Sequence, residues 1–168
     1  MSSASASIKR LQKEYKAISQ NNNENNITVK LVNDDLYHWR IEIGMELICQ
    51  LEETPLSQSF LKWRRKTKID HMTFVAKFSD NYPNHPPFIY LEQPTNLSGV
   101  PNGAICISTL MPQVWSTDTQ IESLMIHILV HLEQSFISPL TKAINTEQAA
   151  NEIFTKFLSI HKNDFINN

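Results

Sequence analysis

The run Asn81-Tyr-Pro-Asn-His-Pro-Pro87 restricts this chain more than any other feature. Three prolines in five positions remove three backbone donors and push the residues before them into extended conformations. Regular structure must stop before this run and restart after it.

Ahead of it, Ile8, Leu11, Tyr15 and Ile18 recur at three- and four-residue steps, which predicts a helix with one apolar stripe. Lys9, Arg10, Lys13 and Lys16 make its other faces basic, and Ser5 and Ser7 are candidate N-caps. The helix must end by Asn21, because five asparagines between Asn21 and Asn26 favour turns. Ile27–Val32 and Leu36–Ile43 then alternate as strands about the turn Asn33-Asp34-Asp35. Leu47 to Arg65 is less regular and is assigned a short helix and a loop. Ile69–Phe78 alternates as a third strand.

Beyond the proline run, Phe88–Leu91 is a short apolar strand, and Pro94–Gly103 is a loop without periodicity. Ile121, Leu124, Met125, Ile128, Leu129, Leu132 and Phe136 predict a helix over 121–136, with Thr119 and Glu122 in capping-box relation at its start. A last helix runs from about Thr146, its cap, to Ile160. The order is helix, strand meander, loop, helix, helix: an α+β fold with a four-stranded antiparallel sheet, in a single domain over residues 1–168.

A net charge of -2 lacks the basic surplus of a nucleic-acid binder. The longest apolar stretch, Leu124–Leu132, is interrupted by His127 and His131 and is too short to span a bilayer. Met1–Ser7 lacks signal-peptide order, and two cysteines, Cys49 and Cys106, make no disulfide framework. The expectation is a monomer of the cytoplasm or nucleus, without nucleic-acid or membrane partners. His127 and His131 stand at a zinc-compatible spacing but lack a third ligand, so no metal or cofactor is expected.

Two of the three glycines, Gly99 and Gly103, sit within seven residues of Cys106. Glycine lets a ligand chain approach closely, so this thiol stands where it can meet a partner. Local chemistry alone still favours a small core hydrophobe, since Ile105 and Ile107 flank the cysteine. Cys49, within Leu47-Ile48-Cys49, favours the core more strongly.

Five blocks in order shift that balance. Ile8–Tyr15, Leu36–Trp39, Phe78–Pro87, Asn102-Gly-Ala-Ile-Cys-Ile107 and Trp115-Ser116 followed by Ile121 together resemble the catalytic domain of ubiquitin-conjugating enzymes, over nearly the whole chain. The extended segment at about Leu47–Lys66, with Gly-Ala-Ile-Cys, Trp-Ser and Ile-Glu-Ser elements, resembles the Q-type members. The resemblance implies that Cys106 carries ubiquitin as a thioester, taken from the activating enzyme and passed to a lysine or a ligase. It implies partner surfaces too. Lys9, Arg10 and Lys13 correspond to the face offered to the activating enzyme, and Asn84 and Asp118 lie in the ligase-facing loops. Asn84 stands where many members carry an aromatic, which implies weak binding to common RING-type ligases.

The family's His-Pro-Asn motif is absent, as it is from the Q-type enzymes. Ser98 falls at about the asparagine's place, and Asn96 and Asn102 are nearby amides, with Asn96 the candidate to support an oxyanion. The acidic residue near the lysine entry is also missing; Ser138 falls there. Trp115 reads as a packing residue under the active-site loop. Three rival readings are a binding module with an idle cysteine, a carrier of another ubiquitin-like modifier, and a hydrolase pairing Cys106 with His127 or His131.

Overall fold

The computed structural model describes residues 3–21, 26–138 and 145–162. The alternating β-branched and aromatic stretches form four strands of one antiparallel sheet in chain order. These are β1, Ile27–Val32; β2, Asp35–Gly44; β3, His71–Lys77; and β4, Phe88–Gln93. Compared with the sequence expectation, β3 starts at His71 rather than Ile69, and β4 runs on to Gln93. The register aligns one buried side chain per strand, with Val29 opposite Ile41, Ile41 opposite Phe74 and Phe74 opposite Leu91. A parallel row holds Leu31, Trp39, Ala76 and Ile89. Trp39 is wholly buried, and its indole N–H donates to Leu36 O at 2.6 Å, so the ring enters the core without an orphaned donor.

Helix α1 is Ser3–Gln20. Its buried row is Ser7, Leu11, Glu14 and Ile18, while Ile8 is 38% exposed. Both this row and the expected one are helical in spacing. The polar row wins because its polar members find partners; the Ser7 hydroxyl pairs with that of Tyr37 at 2.8 Å. Ser5 and Ser7 therefore lie within the helix rather than at its cap position. Most of the asparagine turn, 22–25, falls outside the described residues.

Two helices fill the irregular segment: α2, Met45–Cys49, and α3, Pro55–Thr67. The start of α3 is written locally. The Thr54 hydroxyl accepts from the Ser57 N–H at 3.2 Å, and Pro55 takes the first helical position, where no donor is needed. Arg64, Arg65 and Lys66 occupy its last turn, where cations suit the helix dipole.

Helix α4 is Ile121–His131 and stops before the expected Phe136, which is 51% exposed. Its N-cap is Gln120, with no side-chain cap, so the Thr119–Glu122 box does not form. Helix α5, Glu147–Ile160, starts as expected at Thr146, whose hydroxyl accepts from the Ala149 N–H at 3.2 Å.

Leu124, Met125, Ile128 and Leu129 of α4 share one core with the sheet rows, Leu11 and Ile18 of α1, and Leu56 and Phe60 of α3. Each such side chain contributes about 1.5–3 kcal/mol when fully buried. The other sheet face carries a small cluster of Val75, Tyr90, Ala104 and Ala150. The fold is the expected α+β meander with helices. No helix among the described residues is long and apolar enough to cross a membrane.

Candidate functional site

After β4 the chain doubles back, and Ala104 forms an antiparallel bridge with Tyr90. Glycine makes that return possible. Gly103 has φ +83°, and a Cβ there would lie 2.3 Å from Leu91 O. Asn102 precedes it in the left-handed region at φ 51°, a conformation asparagine tolerates. Its side chain is exposed on the Pro101–Gly103 turn.

This return delivers Cys106 half-buried, at a cavity of about 140 Å³. Val100, Ile105, Ile107 and Leu132 supply apolar walls, and His131 and Ser135 add an imidazole and a hydroxyl. Burial pushes the Cys106 thiol above its ordinary pKa, since apolar walls disfavour the thiolate. No hydrogen bond from a histidine to its sulfur is present among the described residues. His127 Nε2 is engaged by Thr109 Oγ1 at 3.0 Å, and His131 lines the cavity without such a bond. A half-buried thiol without a paired base suits exchange between sulfur esters better than hydrolysis, which needs a base to activate water.

The other sequence candidates serve a different strip. The Ser98 hydroxyl accepts from the Phe136 N–H at 2.8 Å, and the Ser98 N–H donates to Phe136 O at 2.9 Å. The Ser138 N–H donates to Asn96 O at 3.0 Å, and Leu97 bridges Ile137. Residues 96–98 and 136–138 thus form a short antiparallel ladder beside the cavity. Asn96 and Ser138 line a separate cleft against α3. Asn96, Ser98, Asn102 and Ser138 all stand outside the lining of the Cys106 cavity. The hydroxyl that does line it, Ser135, carries no sequence motif and was missed.

A second missed residue is Glu14, which is only 7% exposed. Its carboxylate is paired with Arg10, accepts from the Tyr82 hydroxyl at 2.7 Å, and accepts from the Ile121 N–H at 2.7 Å. It therefore caps α4 from another helix, which explains the missing capping box. An anion at a helix N-terminus is also favoured by the macrodipole. Arg10 further donates to Thr119 O at 2.9 Å. Burial and the bond to Glu14 push the Tyr82 hydroxyl far above its usual range. The proline run is thereby fixed to both helices. The Trp115 indole N–H donates to Pro83 O at 2.6 Å, so Trp115 packs on the proline turn.

On the partner-facing side, Lys9 and Lys13 are exposed, whereas Arg10 is committed to Glu14 and Thr119. Asn84 and Asp118 are exposed on their loops.

A family model described as ubiquitin-conjugating enzyme matches residues 63–159, more than half of the chain. The chain is 33% identical to ubiquitin-conjugating enzyme E2 Q1 of Homo sapiens over 123 residues, covering 71% of this chain and 28% of that protein. It is 30% identical to ubiquitin-conjugating enzyme E2 25 of Caenorhabditis elegans over 128 residues, 73% of this chain and 32% of that one. The chain thus spans about a third or less of the length of these relatives. Among solved structures, a Plasmodium vivax ubiquitin conjugating enzyme E2 superposes with a TM-score of 0.54 at 24% identity, covering 73% of this chain and 98% of that one. Human ubiquitin-conjugating enzyme E2 G1 superposes with a TM-score of 0.54 at 21% identity, covering 77% and 95%. These two likenesses speak for the fold.

Proposed function

The chain belongs to the ubiquitin-conjugating enzyme family, near its Q-type members, and on that footing we propose that Cys106 takes ubiquitin from the activating enzyme as a thioester and passes it to a lysine amine or a ligase. The observation that carries this reading is Cys106 itself, half-buried at the edge of a small cavity, behind a turn that only glycine at 103 permits.

In the first step the Cys106 sulfur attacks the carbonyl of the incoming thioester. The bond to the donor sulfur breaks, that sulfur leaves as the thiolate, and the Cys106 proton ends on it or on solvent. The exchange trades one thioester for another and needs little assistance. In the second step a neutral amine attacks the Cys106 thioester. The carbonyl oxygen becomes an oxyanion, the Cys106 thiolate leaves, and the amine loses a proton to give the amide. The oxyanion needs a donor. Asn96 lines the other cleft, the Ser98 hydroxyl is bonded to Phe136 and Asn102 is exposed on its turn, so we infer that the Ser135 hydroxyl, which lines the cavity, supplies it. Lys9 and Lys13 are the residues we assign to the activating enzyme, and Asn84 and Asp118 to the ligase side. Two free cysteines fit a reducing compartment, the cytoplasm or nucleus.

The test is thioester charging with ubiquitin, its activating enzyme and ATP, followed on non-reducing gels. A band heavier by one ubiquitin, removed by reductant and abolished in Cys106→Ala, supports the reading. Its absence with active controls would turn the assignment to another ubiquitin-like modifier or to a binding module. Ser135→Ala is expected to charge at the wild-type rate and to discharge to free lysine roughly a hundredfold more slowly. Equal discharge would remove Ser135 from the mechanism.

A further inference from the structure

A cleft of about 150 Å³ lies between α3 and the 96–98/136–138 ladder, apart from the Cys106 cavity. One wall is a single face of α3, with Ser59, Lys62, Trp63 and Lys66 at helical spacing. Ile137 stands opposite, between Asn96 and Ser138. The cleft is firmly built. The Ile137 N–H donates to the Ser59 hydroxyl at 3.0 Å, and the Leu56 N–H donates to Glu133 O at 3.2 Å. A hollow of this volume holds a group the size of a benzene ring.

Two lysines, Lys62 and Lys66, line the cleft. They belong to a run, Lys62, Arg64, Arg65, Lys66 and Lys68, that holds five of the chain's 15 lysines and arginines, set within a chain of net charge -2. Lys62 and Lys66 are exposed, and neither joins an ion pair among the described residues. The nearest carboxylate in sequence, Asp70, is paired with His71. An apolar hollow between unpaired cations complements an acidic segment carrying one apolar side chain. A nucleic-acid backbone would use the cations and leave the hollow unfilled.

The same strip lines both sites. Gly99 and Ser135 border the Cys106 cavity, and Asn96 and Ser138 border the cleft. Ser135 and Ser138 are three extended steps apart, about 10 Å of chain.

We infer that this cleft receives an acidic segment of the acceptor protein, one apolar side chain lodging between Trp63 and Ile137 and carboxylates pairing with Lys62 and Lys66, and so selects which lysine reaches Cys106. The inference rests on the thioester reading above for its consequence, though not for the binding itself.

Two measurements separate these. In the first, the uncharged protein is titrated into a fluorescein-labelled peptide with a leucine flanked by aspartates and glutamates and a lysine three residues away. The control peptide replaces the acids with their amides. The acidic peptide is expected to bind roughly tenfold more tightly. The preference should fall with added salt and vanish in Lys62→Glu/Lys66→Glu. Equal affinity for the two peptides overturns the proposal, and so does tighter binding of a single-stranded oligonucleotide than of the acidic peptide.

In the second, ubiquitin-charged protein is discharged onto the two peptides. A preference for the acidic one that Lys62→Glu/Lys66→Glu erases, with charging and free-lysine discharge unchanged, supports selection of the acceptor. Binding without selective discharge overturns that role. Failure to charge at all refutes the thioester reading and leaves the binding result standing.

Discussion

Glu14 holds three segments through two carboxylate oxygens: its own helix through Arg10, the proline turn through Tyr82, and the first amide of α4. Removing a buried acceptor leaves its donors unsatisfied. Glu14→Ala is expected to lower unfolding stability by about 2–4 kcal/mol in chemical denaturation. Tyr82→Phe should cost about 1 kcal/mol, and the double variant should fall short of the sum, since the two share one bond. Full additivity would show that the pair is not coupled. Cys106 makes a different prediction. Its thiol is raised by burial, so the reactive thiolate gains on the thiol only as pH climbs past the ordinary cysteine range. Alkylation of Cys106 by iodoacetamide, followed in Cys49→Ser, should still be accelerating at about pH 9. A plateau near neutrality would contradict the burial effect. Cys106 was singled out in the sequence by the five-block resemblance, since its isoleucine neighbours alone favour a core thiol. Glu14 was not, because a glutamate in a basic helix reads as solvated. Its partners lie 68 and 107 residues away. Ser135 was missed for the same reason, since only the fold carries it to Cys106.

Among the elements, those whose ends are written locally were readable. Thr146 caps α5 as expected. Thr54-Pro55 starts α3 by the same rules, although the sequence expectation for that segment was only a short helix and a loop. The strands followed from alternation, with ends shifted by one or two residues. Helix α4 was overextended because Leu132 and Phe136 continue its apolar spacing, although the helix ends at His131 and only Leu132 is buried. Thr54→Ala is expected to cost about 1 kcal/mol, read as a shift in denaturation midpoint without change in slope. The return after β4 is less forgiving. Gly103→Ala would place a Cβ on Leu91 O at a positive φ, and a loss of at least about 2 kcal/mol is expected, with charging impaired through a displaced Cys106. A variant that is fully stable and charges normally would show that the turn can relax.

Across the molecule, one apolar cluster joins α1, the sheet, α3 and α4, so these parts should unfold together. The three tryptophans report on different regions: Trp39 in the sheet core, Trp63 on α3 and Trp115 on the proline turn. Tryptophan fluorescence and far-ultraviolet dichroism are expected to give coincident urea transitions. An earlier fluorescence change would mean that α3 or the turn opens separately. The fold class was legible because hydrophobic period and proline punctuation carry it. The five cations at 62–68 were visible as letters, whereas the hollow that Lys62 and Lys66 line came only with the fold. The Glu14 junction has a further consequence for the lifetime of the protein. An exopeptidase that nibbles from the amino end meets a threshold at residue 14. Trimming through residue 7 costs Tyr37 a partner. Trimming through residue 14 also uncaps the central helix and frees the proline turn, so an intact cysteine would outlive the scaffold that makes it useful.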